Sequence, residues 1–184
     1  MLVSGDKTSF YSCSFVGLQD TLCDLQGRHY FKDCEIMGVV DFIFGFGQSI
    51  YETCNIVTLS GLRMPGWVTA QGRFGVVQRS GFVFKNCRLK GASRVYLGRA
   101  WGRYSRVIFY NTFMDDIVVP EGWDSWRAPN KGLDTEYGEI SCRGPGANTK
   151  GRVPWEKKMK PKYIRELTSL SFIDSEGWLG NQGW

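Results

Sequence analysis

From Phe10 onward the chain alternates apolar and polar positions in short bursts, and five of these bursts share one layout. Phe10-Tyr-Ser-Cys13-Ser-Phe15, Phe31-Lys-Asp-Cys34-Glu-Ile36, Tyr51-Glu-Thr-Cys54-Asn-Ile56 and Phe84-Lys-Asn-Cys87-Arg-Leu89 align on their cysteines. Phe109-Tyr-Asn-Thr112-Phe-Met114 follows with threonine in the same column. A period of two predicts strands with one inward face, and a helical period does not fit. The unit returns after 21, 20, 33 and 25 residues with no helical pattern between copies. That spacing predicts a solenoid whose successive coils pair in parallel, a β-helix. The competing reading is five unrelated strands of a sandwich, which also spaces strands closely. In the solenoid the cysteines stack as an interior column of small buried groups rather than disulfides.

The last thirty residues change character. Pro161 limits any regular helix in the charged stretch Trp155 to Leu167 to the part beginning there, and this segment is expected to cap the side of the solenoid. The expected organisation is one domain, with a repeat core over 1–125 and long loops plus a cap over 126–184. Gly144 to Arg152 reads as turns, because the Gly-Lys-Ser/Thr ending of a phosphate loop is absent. Gly45-Phe-Gly47 lacks the third glycine of a dinucleotide turn.

Composition agrees with this picture: 184 residues with 42% hydrophobic, 22% charged and 15% aromatic positions suit one folded domain and exclude disorder or a collagen-like rod. The net charge of +5 suits an anionic partner, whether nucleic acid, acidic polysaccharide or membrane headgroups. No stretch is long and apolar enough to span a membrane, since Asp41 interrupts Met37 to Phe46. Met1 to Asp6 has neither a basic nor an apolar region of a secretory signal, so the chain is expected to be cytosolic or N-terminally incomplete. The six cysteines form no C-x-x-C pair and His29 is the one histidine, so no metal site is expected. With no Gly-x-Ser-x-Gly elbow and no partner pattern beside it, His29 reads as a surface or strand-edge residue.

The repeat carries a second column. Asp20 follows Cys13 by seven residues and Asp41 follows Cys34 by seven, in the frames Gly17-Leu-Gln-Asp20 and Gly38-Val-Val-Asp41. Strands in register, roughly 4.8 Å apart, would hold the two carboxyls about 5 Å from one another. At that separation and an effective dielectric near 20 they repel by roughly 3 kcal/mol, so one keeps its proton longer. A protonated acid beside a carboxylate supplies both halves of acid/base chemistry. Aspartates that merely end strands at turns would give the same spacing.

Gly17-Leu-Gln-Asp-Thr-Leu22, Asp41-Phe-Ile-Phe-Gly45, Gln71-Gly-Arg73 and Tyr96-Leu-Gly-Arg-Ala-Trp101 resemble, in order, the signature blocks of plant pectin methylesterases. Pro120-Glu-Gly-Trp123, Tyr137-Gly-Glu139, Gly144-Pro-Gly-Ala-Asn-Thr149 and Leu170-Ser-Phe-Ile-Asp174 extend the resemblance over nearly the whole chain. The resemblance implies an all-β, right-handed parallel β-helix with a short C-terminal cap. It also implies hydrolysis of methyl esters in homogalacturonan without metal or organic cofactor. By motif position Asp41 would be the nucleophile, Asp20 the acid and then base, and Gln19 a donor to the oxyanion. Arg99 would hold Asp41 ionised, pulling its pKa down, while Trp101 and Phe44 would line the sugar groove. Implied partners are methyl-esterified pectin and a proteinaceous pectinesterase inhibitor, with no nucleic acid or membrane, in an extracellular cell-wall location.

Four departures stand out. The chain opens at the tail of the block that carries the family's second oxyanion glutamine, which implies that the N-terminal coils are missing. Cys23 stands where the family has tyrosine, Phe46 where it has asparagine after Phe-Gly, and Ala100 where proline is commoner. The alternative readings are an impaired relative that binds pectin or a partner without turnover, and a different pectin-active β-helix enzyme. Lyases of that second kind use acidic calcium clusters, against which Asp115-Asp116 is the one adjacent acidic pair here.

Overall fold

The computed structural model describes residues 1–61, 64–126 and 134–182. The chain winds as a right-handed parallel β-helix whose strands fall into three sheets. The first sheet contains β1 (Leu2–Val3), β4 (Leu22–Asp24), β7 (Val40–Gly45), β10 (Gly66–Gln71), β13 (Val95–Ala100) and β16 (Trp123–Asp124). The second contains β2 (Thr8–Tyr11), β5 (Arg28–Lys32), β8 (Gln48–Glu52), β11 (Gly81–Lys85), β14 (Arg106–Tyr110) and β17 (Glu136–Ile140). The third contains β3 (Ser14–Val16), β6 (Glu35–Gly38), β9 (Asn55–Thr58), β12 (Arg88–Gly91) and β15 (Phe113–Met114). Every pairing is parallel and joins one coil to the next, as in β5–β8 with Phe31 opposite Tyr51. The solenoid is therefore the architecture, and the sandwich alternative is excluded.

The aligned residues stack inside. Phe10, Phe31, Tyr51, Phe84 and Phe109 form a column with ring centroids 5.0, 4.7, 4.7 and 4.5 Å apart in turn. The cysteine column runs beside it, and all six thiols are free. Cys34, Cys54 and Cys87 each donate to the carbonyl of the aromatic one coil earlier, at 3.5, 3.4 and 3.2 Å. Thr112 does the same to Phe84, and Cys142 to Phe109, both at 3.4 Å. Cys142 thus takes the sixth place in the column, one coil beyond the five copies legible in the sequence. The sequence hides it because Glu139 holds the position of the aromatic, opposite Phe109.

The bend before each column member is set by one residue in the left-handed region. Ser12, Asp33, Thr53, Asn86, Asn111 and Ser141 have φ of 51°, 55°, 53°, 56°, 49° and 55°. Asn and Asp accept this conformation most readily among residues with a side chain.

The C-terminal segment covers the outer face of the second sheet. α1 (Pro161–Thr168) begins at the proline, as the sequence predicts. Leu167, Phe172, Ile173 and Trp178 bury against Tyr30, Ile50, Val83 and Ile108. Residues 144–152 form turns and two short 3-10 helices, also as expected. Among the described residues no helix is long and apolar enough to cross a membrane.

His29 is a correction. It is fully buried, its Nδ1 lies 2.5 Å from Asp24 Oδ1, and its Nε2 lies 2.9 Å from the Gly5 carbonyl. Tyr51 donates to the other oxygen of Asp24 at 2.7 Å. The partner of His29 sits only five residues earlier, on β4 of the first sheet, and the bend between the two strands brings the side chains together.

Candidate active site

The register that stacks the aromatics also stacks the acids. Leu22, Cys23 and Asp24 pair with Ile43, Phe44 and Gly45, so Asp20 lies one coil from Asp41 in the same column. The Asp20 N–H donates to the Val40 carbonyl at 3.1 Å, tying the two turns together. Both aspartates adopt left-handed backbone, with φ of 54° and 47°. In Asp41 this occurs inside β7, where the pairing with β10 slips between Trp67 and Thr69. An irregular strand with a left-handed acid re-aims that side chain, a form of local strain common at working sites.

Arg99, on β13 two coils beyond Asp41 and three beyond Asp20, grips Asp41 with two bonds. Its Nε donates to Asp41 Oδ1 at 2.8 Å and its Nη2 to Oδ2. The guanidinium is clamped in turn between two indoles, with Cζ 4.3 Å from the Trp67 ring centroid and 3.7 Å from that of Trp126. Asp124 fixes both indoles by accepting from Trp67 Nε1 at 2.8 Å and from the Trp126 backbone at 2.9 Å. Cation–π contact and bidentate pairing together set the orientation of Arg99, and through it that of Asp41.

Asp41 is 6% exposed. Burial pushes its carboxyl above the ordinary aspartate value, Arg99 pulls it down, and the charges of Asp20 and Asp124 add to the upward push. The guanidinium acts in the expected direction, but burial outweighs it. The expected net lowering of Asp41 is therefore corrected to a rise.

Gln19, Asp20, Asp41, Phe44, Ala70, Arg99, Trp101 and Trp126 line one cleft of about 330 Å³. Gln19 and Asp20 stand exposed at its mouth, while Phe44 and Trp101 form an aromatic wall with ring centroids 6.3 Å apart. All six site residues expected from the sequence thus meet at one place. Sequence reasoning does not single out Trp67, Asp124 or Trp126. The available signal is that Trp67 falls opposite Tyr96 in the block that carries Arg99. Among the described residues no group of histidines, cysteines and acids could hold a metal ion.

The fold and site together define a right-handed parallel β-helix protein with a groove that holds two acids, one of them gripped by an arginine. The family model for pectinesterase matches residues 1–176, and the chain belongs to that family. It is 50% identical over 181 residues to probable pectinesterase 29 of Arabidopsis thaliana, covering 97% of this chain and 54% of that protein. The solved pectin methylesterase from carrot superposes with a TM-score of 0.90 at 33% identity, over 96% of this chain and 59% of the other. A pectin methylesterase solved in complex with a hexasaccharide superposes at 0.75 with 28% identity, over 92% and 57% of the two chains. The chain spans about half the length of the curated relatives it matches.

Proposed function

We propose that the protein carrying this chain hydrolyses methyl esters of homogalacturonan, leaving pectate and releasing methanol. The observation that carries this reading is Asp41, buried, gripped by Arg99 and stacked one coil from Asp20 in an open cleft. The hexasaccharide bound by a related esterase supports a pectic oligomer as the occupant.

In the proposed sequence an Asp41 oxygen attacks the ester carbonyl carbon, and the carbonyl electrons move onto oxygen, where the Gln19 amide donates a hydrogen bond. The carbonyl re-forms, the bond to methoxide oxygen breaks, and Asp20 gives its proton to that oxygen, so neutral methanol leaves. Asp41 is then joined to the sugar as a mixed anhydride. Asp20, now ionised, takes a proton from water as the water oxygen attacks the same carbonyl carbon. Cleavage of the anhydride returns Asp41 as a carboxylate and frees the uronic acid. Arg99 keeps Asp41 in its attacking form against the pull of burial, and Phe44 and Trp101 hold the sugar ring. An extracellular cell-wall location follows from the polymer's own location.

Methylated pectin incubated with the full-length protein should release methanol while polymer size on a sizing column stays constant. Shortened polymer would mean a glycosidase or lyase; binding without methanol would mean the impaired relative.

A further inference from the structure

The aromatic rings of the cleft continue beyond those around Asp41. Phe46 follows β7, and its ring packs on Trp101 with centroids 4.8 Å apart. Phe74 extends the row, 5.7 Å from Phe46, and is 57% exposed. Gly72 makes room for this arrangement, since a Cβ there would lie 2.3 Å from Phe46 Cε1.

The loop bearing Phe74 is pinned from beneath. Arg73 is buried, and its guanidinium donates to the carbonyls of Gly75, Val76 and Tyr104 at 3.2, 2.7 and 3.1 Å and to Glu136 at 2.7 Å. Gln78 Oε1 accepts from the backbone N–H groups of Phe74 and Gly75, both at 3.0 Å. A buried arginine thus satisfies the loop's carbonyls and fixes an apolar ring in water. A preformed loop loses little further freedom when a ligand arrives, which favours binding.

We propose that Phe46 and Phe74 form a specificity subsite, next along the cleft from the reacting sugar, for a galacturonate residue that still carries its methyl ester. This rests on the esterase reading above and adds which neighbour the enzyme selects. The C–H face of a sugar and an ester methyl gain from leaving water against phenyl rings. A free carboxylate laid against Phe46 and Phe74 would lose hydration without gaining a hydrogen bond from either phenyl ring. The subsite therefore directs the enzyme to stretches of the polymer that remain methylated. Its occupant is the polymer, because the row of rings is continuous with the Phe44–Trp101 wall of the cleft.

The test compares kcat/KM of the full-length protein on two galacturonide hexamers, one esterified on every sugar and one on a single sugar. The expected preference for the first falls by about tenfold, the scale of one apolar contact, in Phe74→Ser and in Phe46→Asn, through KM rather than kcat. Phe74 is exposed enough that its replacement leaves the packing intact. An unchanged preference, or a loss carried by kcat, would overturn the subsite, as would a change confined to self-association. Absence of methanol from both hexamers would refute the esterase reading instead. The subsite is then tested by tryptophan fluorescence titration with fully esterified and fully de-esterified hexamers. A preference for the esterified hexamer that Phe74→Ser abolishes supports it, and equal affinities overturn it.

Discussion

Asp41 is held by opposing influences that no single residue reveals. Burial and two neighbouring acids raise its carboxyl, and Arg99 opposes them through two hydrogen bonds and its charge. Replacing Arg99 by Gln removes the opposing influence, so Asp41 rises further and is ionised only at higher pH. Since attack needs the carboxylate, the acidic limb of the kcat/KM profile should move to higher pH in Arg99→Gln, with a lower maximum because the side chain is also less well aimed. A lower maximum with an unmoved limb would reduce Arg99 to a purely steric role. The acids themselves were legible because the repeat gives them matching frames, and their roles came from the resemblance. The indole clamp of Trp67 and Trp126 was not legible, since its members lie on separate coils and meet only through the guanidinium between them. The net direction of the Asp41 shift was equally out of reach, because it depends on how much of the side chain the coils cover.

Strand pairing explains why the coil was readable and why its buried polar network was not. Aromatic and cysteine columns repeat within a few residues, so alignment exposes them. The His29–Asp24–Tyr51 network joins β4 of the first sheet to β5 and β8 of the second and uses each residue type once. Burial pushes His29 down, but the hydrogen bond and charge of Asp24, with Gly5 and Asp6 assisting, prevail and raise it above 6.5. A histidine raised on folding contributes stability that is complete below its unfolded pKa and is lost as pH rises through the folded one. His29→Gln should therefore destabilise more at about pH 5 than at about pH 9, read from urea midpoints at the two pH values. Equal losses would show that His29 is neutral in the fold throughout.

At the scale of the whole molecule, the last coil is sealed by an ionic cluster. Arg152 donates to Glu139 Oε1 at 2.5 Å and Oε2 at 3.0 Å, while Glu156 accepts from the Glu139 N–H at 3.1 Å. Burial and the charge of Glu139 push Glu156 from 4.5 up to about 7. An acid raised on folding costs stability as pH climbs from its unfolded to its folded pKa. Glu156→Gln keeps the acceptor and removes the charge. Its stability should match the parent below about pH 4.5 and exceed it by on the order of 1 kcal/mol above pH 7, after allowance for solvent screening. A constant difference across that range in denaturant titrations would refute the assignment. The seal belongs to a coil that the sequence hid by placing Glu139 where the other coils carry an aromatic ring.

The β-helix brings together acids that lie a full turn apart in sequence, and the proposed chemistry depends on both. Methanol release from methylated pectin by the full-length protein, measured for Asp20→Asn and Asp41→Asn, tests this most directly. Each change should lower the rate by at least about a hundredfold while the circular dichroism of the β-helix is retained. Turnover near the parent rate in either variant would contradict the pair.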